Sequence, residues 1–188
     1  LDKGEAFAGQ NVAATAKAVD KEDDPLTYAW EVDGTKESAT GTSLDINTSG
    51  FTGGNHSVKV TVTDDRGASG TDTKSFKVTE KIVIPLDKLR PDNKAKAQLD
   101  EIALKMQQTP ELKAKLTGHT DNVGSEEGNM KFGLKRAEAV KAYLVKEHSI
   151  AEDRIETASA GEAEPIADNA TAEGRKENRR VVVELYVP

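Results

Sequence analysis

The sequence predicts two domains: an all-β sandwich over residues 1–80, then a two-layer α/β domain with a mixed sheet over residues 81–188. Three observations carry this. Short runs within residues 26–78 alternate apolar and polar side chains, separated by Gly, Asn and Asp clusters, which is the period of half-buried strands. From residue 91 onward, helical spacing alternates with short apolar runs. The composition shifts near Glu80: residues 1–80 hold 14 acids against 8 bases, whereas the remainder is close to neutral.

In chain order, Leu26, Tyr28, Trp30 and Val32 alternate with Thr27, Ala29, Glu31 and Asp33, and Asp33-Gly34 then supplies a hairpin turn. Val58, Val60 and Val62 form a second alternating strand, and Phe76 with Val78 closes the last. Trp30, the one tryptophan, is expected to anchor the core. Asp20, Asp23, Asp24, Asp64 and Asp65 fall at strand ends; they read as solvated turn residues, with a calcium site as the alternative.

Lys81 to Leu86 reads as a separate short strand, and Pro91-Asp92 opens a helix whose buried stripe is Ala95, Leu99, Ile102 and Met106. Leu112, Ala114, Leu116 and Gly118 alternate as the next strand. Leu134, Ala137, Val140 and Leu144 are the expected core stripe of a second helix, with Arg136 off that stripe and free to point at the strand ends. Arg154 to Ala160 is a third strand, a loop runs from Gly161 to about Thr171, and Val181, Val183 and Leu185 mark the last strand. The order is βαβαββ.

At 188 residues with a net charge of −7 and a pI near 5.1, the chain is no polyanion binder, so nucleic acid is excluded as the main partner. No apolar run reaches the length of a membrane span, and no signal peptide is present. Without cysteine there is neither a disulfide nor a thiolate metal site, which fits the periplasm without requiring it. The chain begins at Leu1 and reads as the soluble end of a longer protein.

The stretch from Leu116 to Val145 carries the chemistry. Asp121 is an anion at a strand's end, and Arg136 is a permanent cation whose planar fork fits a carboxylate. Asn129 lies seven residues before Arg136, two helical turns away on one stripe. An acid, an amide and a guanidinium brought together make a receptor for a small zwitterion. Read alone, Asp121 also suits a plain turn and Arg136 a solvent-facing salt bridge. His119 has no nucleophile or metal motif to work with, so the expectation is a binding protein, not an enzyme, with no cofactor.

GHTDNVGS (118–125), Asn129, LKRAEAVKAYL (134–144), Gly161 with Pro165, and GRKENRRVVVEL (174–185) together resemble the C-terminal peptidoglycan-binding domain of the OmpA family, which includes Pal-type lipoproteins and flagellar stator proteins. The resemblance implies recognition of the diaminopimelate side chain of uncrosslinked stem peptides. It assigns Asp121, Arg136, Asn129, Asp87 and Arg179 to that ligand; Arg180 is expected to anchor the fold through surface or backbone contacts instead. It also implies a periplasmic location, tethered to the outer membrane through an upstream region. IPLD (84–87), GLKRA (133–137) and ASAGE (158–162) depart from the family pattern, at positions that bear on packing more than on charge. In the first half, DPLTYAWEVDG (24–34) and HSVKVTVTDDRG (56–67) resemble PKD and related immunoglobulin-like modules. An adhesin or scaffold acting through that sandwich is the alternative function, and a homodimer stays open.

Overall fold

The computed structural model describes residues 1–188, and its contacts divide the chain into two compact units, Leu1–Glu80 and Lys81–Pro188. The first unit is all-β: β1 (Glu5–Phe7), β2 (Asn11–Thr15), β3 (Thr27–Val32), β4 (Thr35–Lys36), β5 (Ser43–Asn47), β6 (Gly54–Thr63) and the first part of β7 (Ser69–Pro85). β4, β3, β6 and β7 pair antiparallel in that order, and β1 adds parallel to β7. β2 and β5 form a separate antiparallel ribbon. Val12 and Ile46 from the ribbon share one core with Trp30, Val58, Val60, Phe76 and Val78 from the larger sheet.

The sequence pattern explains these elements. Trp30 is 3% exposed and its indole N–H donates to the Gly41 carbonyl at 2.9 Å, so its one polar atom is satisfied inside the core. Asp33 (φ 48°) and Gly34 (φ 78°) turn the β3–β4 hairpin with two successive left-handed residues, the twist that tight hairpins favour. Asp20 Oδ1 accepts from the Glu22 and Asp24 amides, and Asp64 Oδ1 from the Arg66 and Ala68 amides. Asp20 and Asp64 therefore use carboxylate oxygens to close their own turns.

The second unit runs from the last part of β7 through α1 (Asn93–Gln108), β8 (Lys113–His119), α2 (Glu126–His148), a 3-10 turn (Glu152–Arg154), β9 (Ile155–Gly161) and α3 (Ala172–Asn178) to β10 (Arg180–Tyr186). Its strands lie in the order β7-β10-β8-β9, with β10 antiparallel to β8 and β8 parallel to β9, a mixed sheet. Leu99, Ile102 and Met106 of α1 and Val140 and Leu144 of α2 pack with Leu116, Val183 and Leu185 in its core.

Caps define the helix ends. Asp92 accepts from the Ala95 amide at 2.9 Å to start α1, which ends at Thr109, before Pro110. Ser125 caps α2 by accepting from the Gly128 amide at 3.2 Å, with Glu126 and Glu127 placed where the helix dipole favours acids.

Three expectations are corrected. Lys81 to Leu86 is not a separate strand; it continues β7, because Lys77 to Ile84 contains no turn residue and keeps a β-rich pattern across the change in composition. The second half is not strand–loop–strand after β9: Thr171 accepts from the Gly174 amide at 2.9 Å and starts α3. Leu134 is 37% exposed, and the buried face of α2 is Asn129, Gly133, Arg136, Ala137, Val140 and Leu144. Arg136 therefore sits on the buried stripe. Gly133 admits this rotation: a Cβ on Gly118 would lie 1.8 Å from the Gly133 carbonyl oxygen, so the backbones of β8 and α2 touch without side chains between them.

Candidate functional site

A cleft of about 650 Å³ lies in the second unit, at the ends of β7 and β8 and beside the first turns of α2. All five sequence-predicted residues line it: Asp87, Asp121, Asn129, Arg136 and Arg179. β7 delivers Asp87 just past its end, β8 delivers Thr120 and Asp121, and α2 presents Asn129 and Arg136 on its inner face. Arg179 is the residue that ends α3 and precedes β10.

Arg136 is 2% exposed. Its Nε donates to the Leu86 carbonyl at 2.9 Å, Nη1 to the His119 carbonyl at 3.2 Å, and Nη2 makes a long contact with the Asp87 carbonyl at 3.5 Å. It is thus not free, as the off-stripe reading had it. Three of the five guanidinium N–H groups are spent on orienting the side chain, and one on each Nη remains, spaced for a carboxylate. The Phe132 ring lies under the guanidinium, 4.8 Å from its carbon to the ring centroid. Burial pushes the Arg136 pKa down, the neighbouring Arg179 adds to that, and Asp121 and Asp87 oppose it.

Arg179 clamps the two acids. Its Nε binds Asp87 Oδ1 and its Nη1 binds Asp121 Oδ2, each at 2.5 Å. Burial pushes Arg179 down, but the hydrogen bonds to Asp121 and Asp87 outweigh it and hold the pKa above its ordinary value. Asp121 Oδ1 also accepts from the Val123 amide at 3.1 Å, so the turn reading holds alongside its place in the cleft. Each carboxylate has about four acceptor sites, so both retain capacity for an ammonium. Asn129 donates its amide to Glu162 Oε2, a pairing the sequence did not suggest.

Residues that sequence reasoning passed over also line the wall, among them Thr120, Phe132 and Arg175. Thr120 is 4% exposed and its Oγ1 has no partner within the chain. It was legible only as the neighbour of Asp121. Arg180 is buried and donates to the Asn178 and Glu164 carbonyls, the backbone anchoring expected of it. His119 does not line the cleft; burial, then the charge of Arg180, lowers its pKa to about 4. Its Nδ1 is buried and has no hydrogen-bond partner within the chain.

Residues 87–179 match the family model described as the OmpA family. Over 99 residues the chain is 40% identical to outer membrane porin F of Pseudomonas aeruginosa, covering 53% of this chain and 28% of that protein. Over 85 residues it is 42% identical to the peptidoglycan-binding protein ArfA of Mycobacterium tuberculosis, covering 45% of this chain and 26% of that one. The chain thus spans between a quarter and a third of the length of these curated relatives. Among solved structures it is similar to the peptidoglycan-associated lipoprotein from Burkholderia pseudomallei, with a TM-score of 0.51 and 26% identity over 56% of this chain and 88% of that one. Residues 87–179, which hold β8, β9 and every residue of the cleft, are thus similar in sequence to the OmpA family.

Proposed function

We propose that the second unit binds peptidoglycan without catalysing a reaction, gripping the diaminopimelate side chain of an uncrosslinked stem peptide. The observation that carries this reading is the pairing, in one cleft, of a carbonyl-held Arg136 with an acid pair clamped by Arg179. The distal end of diaminopimelate bears an ammonium and a carboxylate on one carbon. The carboxylate takes the two remaining donors of Arg136, while the ammonium takes the open acceptors of Asp121 and Asp87. Asn129 also lines the cleft, its amide held by Glu162.

Lysine has the same ammonium but no distal carboxylate. Binding it would desolvate Arg136 without satisfying it, a penalty of about 1–3 kcal/mol. Affinity for one peptide is modest in this reading, and the many repeats of the wall supply avidity. Relatives named as outer membrane and peptidoglycan-binding proteins support a periplasmic role, anchoring the outer membrane to the wall through regions outside this chain. The first unit serves as a PKD-type spacer, joined to the binding domain near Glu80.

Calorimetry with a diaminopimelate tripeptide and its lysine counterpart tests the site. The diaminopimelate peptide should bind about tenfold or more tightly. Equal affinities would overturn the assignment, and wall pulldown by residues 1–80 alone would favour the adhesin alternative.

A further inference from the structure

The charges lining the cleft do not balance. Asp87 and Asp121 stand against Arg136, Arg175 and Arg179, an excess of one cation. A diaminopimelate side chain, itself a zwitterion, leaves that excess in place. Glu162 does not line the cleft and pairs with none of its arginines; it accepts the neutral Asn129 amide. The unmatched cation is Arg175, because Arg179 is clamped by both acids and Arg136 is the carboxylate fork described above.

Arg175 is held ready. Its Nη1 donates to the Asn169 carbonyl at 2.8 Å and the Ala170 carbonyl at 3.2 Å, which fixes the side chain across the loop before α3. That loop is itself fixed. Asn178 is fully buried; its Oδ1 accepts from the Ile166 and Ala167 amides, and its Nδ2 donates to Asn169 Oδ1 at 2.9 Å. Asn169 Oδ1 also receives the Asn122 amide at 3.4 Å, tying the Arg175 wall to the Asp121 loop. Nε and Nη2 of Arg175 make no hydrogen bond within the chain, so a cation of fixed position lines the cleft with donors to spare. The unpartnered, buried Thr120 hydroxyl in the same wall marks a second unfilled polar position.

We propose that Arg175 is a specificity-determining residue that receives a second carboxylate of the ligand, so that the cleft selects acidic peptides over their amidated counterparts. This rests on the peptide reading above and refines it. Every length of stem peptide keeps one carboxylate beside diaminopimelate, the α-carboxylate of the preceding γ-linked glutamate, and that is the group assigned to Arg175. Amidation of that carboxylate removes the charge while keeping its shape.

Calorimetry on the full chain with L-alanyl-γ-D-glutamyl-diaminopimelate and its α-amidated form is the test. The wild type should prefer the free acid by about tenfold, as for a charge-assisted hydrogen bond. Arg175→Gln should bind both peptides with the affinity the wild type shows for the amide, and Arg175→Lys should keep part of the preference. Equal wild-type binding of the two peptides overturns the proposal while leaving diaminopimelate recognition standing. So does an Arg175→Gln variant that retains the preference, or one that weakens both peptides by the same factor, which would make Arg175 a loop brace only. Should the wild type bind neither peptide, this inference and the peptide reading both fall.

Discussion

Arg136 shows how one side chain serves fold and site together. Its guanidinium closes the Leu86 carbonyl, just past the end of β7, and the His119 carbonyl at the end of β8, and removing it strands those acceptors in a buried place. Arg136→Ala should therefore cost about 3 kcal/mol or more of stability as well as peptide binding. Arg136→Lys should fold better yet bind poorly, because an ammonium lacks the planar fork. Asp121→Asn should behave differently: Arg179 keeps Asp87, so the melting temperature should move little while binding of the diaminopimelate peptide falls by about 2 kcal/mol or more. Equal thermal losses in the two variants would contradict this division of labour. His119 gives a pH signature. Its folded pKa of about 4 lies below the ordinary 6.5, so the unfolded chain takes up the proton first as pH falls. Stability on this account is intact above about 6.5 and declines as pH drops toward 4, by at most about 3 kcal/mol. Arg180 and Lys81 oppose the imidazolium and Glu164 favours it. Denaturant titrations of wild type and His119→Gln at pH 7 and pH 4.5 check it: the difference between them should shrink at the lower pH. At this scale Asp87 and Arg179 were reached only through the family resemblance, whereas Asp121, Asn129 and Arg136 were legible as charged and amide groups at set spacings. The burial of Arg136 was not, because periodicity ranks an arginine as solvent-facing and cannot see carbonyls that strand ends bring to meet it.

Between elements, the decisive contact has no side chain in it. Gly118 and Gly133 let β8 and α2 approach until a Cβ on either would overlap the other's backbone. That approach turns Asn129 and Arg136 inward and Leu134 outward, which is why the apolar spacing held for Ala137, Val140 and Leu144 but erred at Leu134 and Arg136. Gly118→Ala must push the helix off the strand, and about 3 kcal/mol or more of destabilisation is expected. Because Arg136 lies less than one turn beyond Gly133, the same variant should lose peptide affinity even where it remains folded. A Gly118→Ala protein with wild-type melting and binding would show the contact to be slack. The other elements divide by the strength of their local signals. α1 was readable because Asp92 caps it and Pro110 stops it. α3 was missed because its seven residues form too short a run to display a period, although the Thr171 cap was there to be read. β7 was cut in two at a change of composition, which carries no physical instruction to the backbone; a turn residue would have.

On the scale of the whole chain, the two hydrophobic cores have no residue in common. One gathers Trp30, Phe76, Val78 and their partners, the other Leu99, Leu116, Leu144, Val183 and theirs. Each unit thus has a core of its own. A fragment of residues 81–188 keeps Ile84 and the whole second core, together with every residue of the cleft. It should unfold in one cooperative transition and retain binding to diaminopimelate-type wall. Trp30→Ala in the full chain supplies the reciprocal measurement. Truncating this 3%-exposed ring opens a cavity in the first core worth about 3–5 kcal/mol. Calorimetry should then show one transition displaced to lower temperature and a second, belonging to residues 81–188, left where it was. Pulldown on purified wall should be unchanged in the same variant, because no residue of the first core lines the cleft. A fragment that fails to fold, or a Trp30→Ala chain whose transitions shift together, would show that the second unit depends on the first for its stability. Wall binding lost on Trp30→Ala while the second transition stays in place would instead move recognition into the first unit, where the adhesin reading puts it.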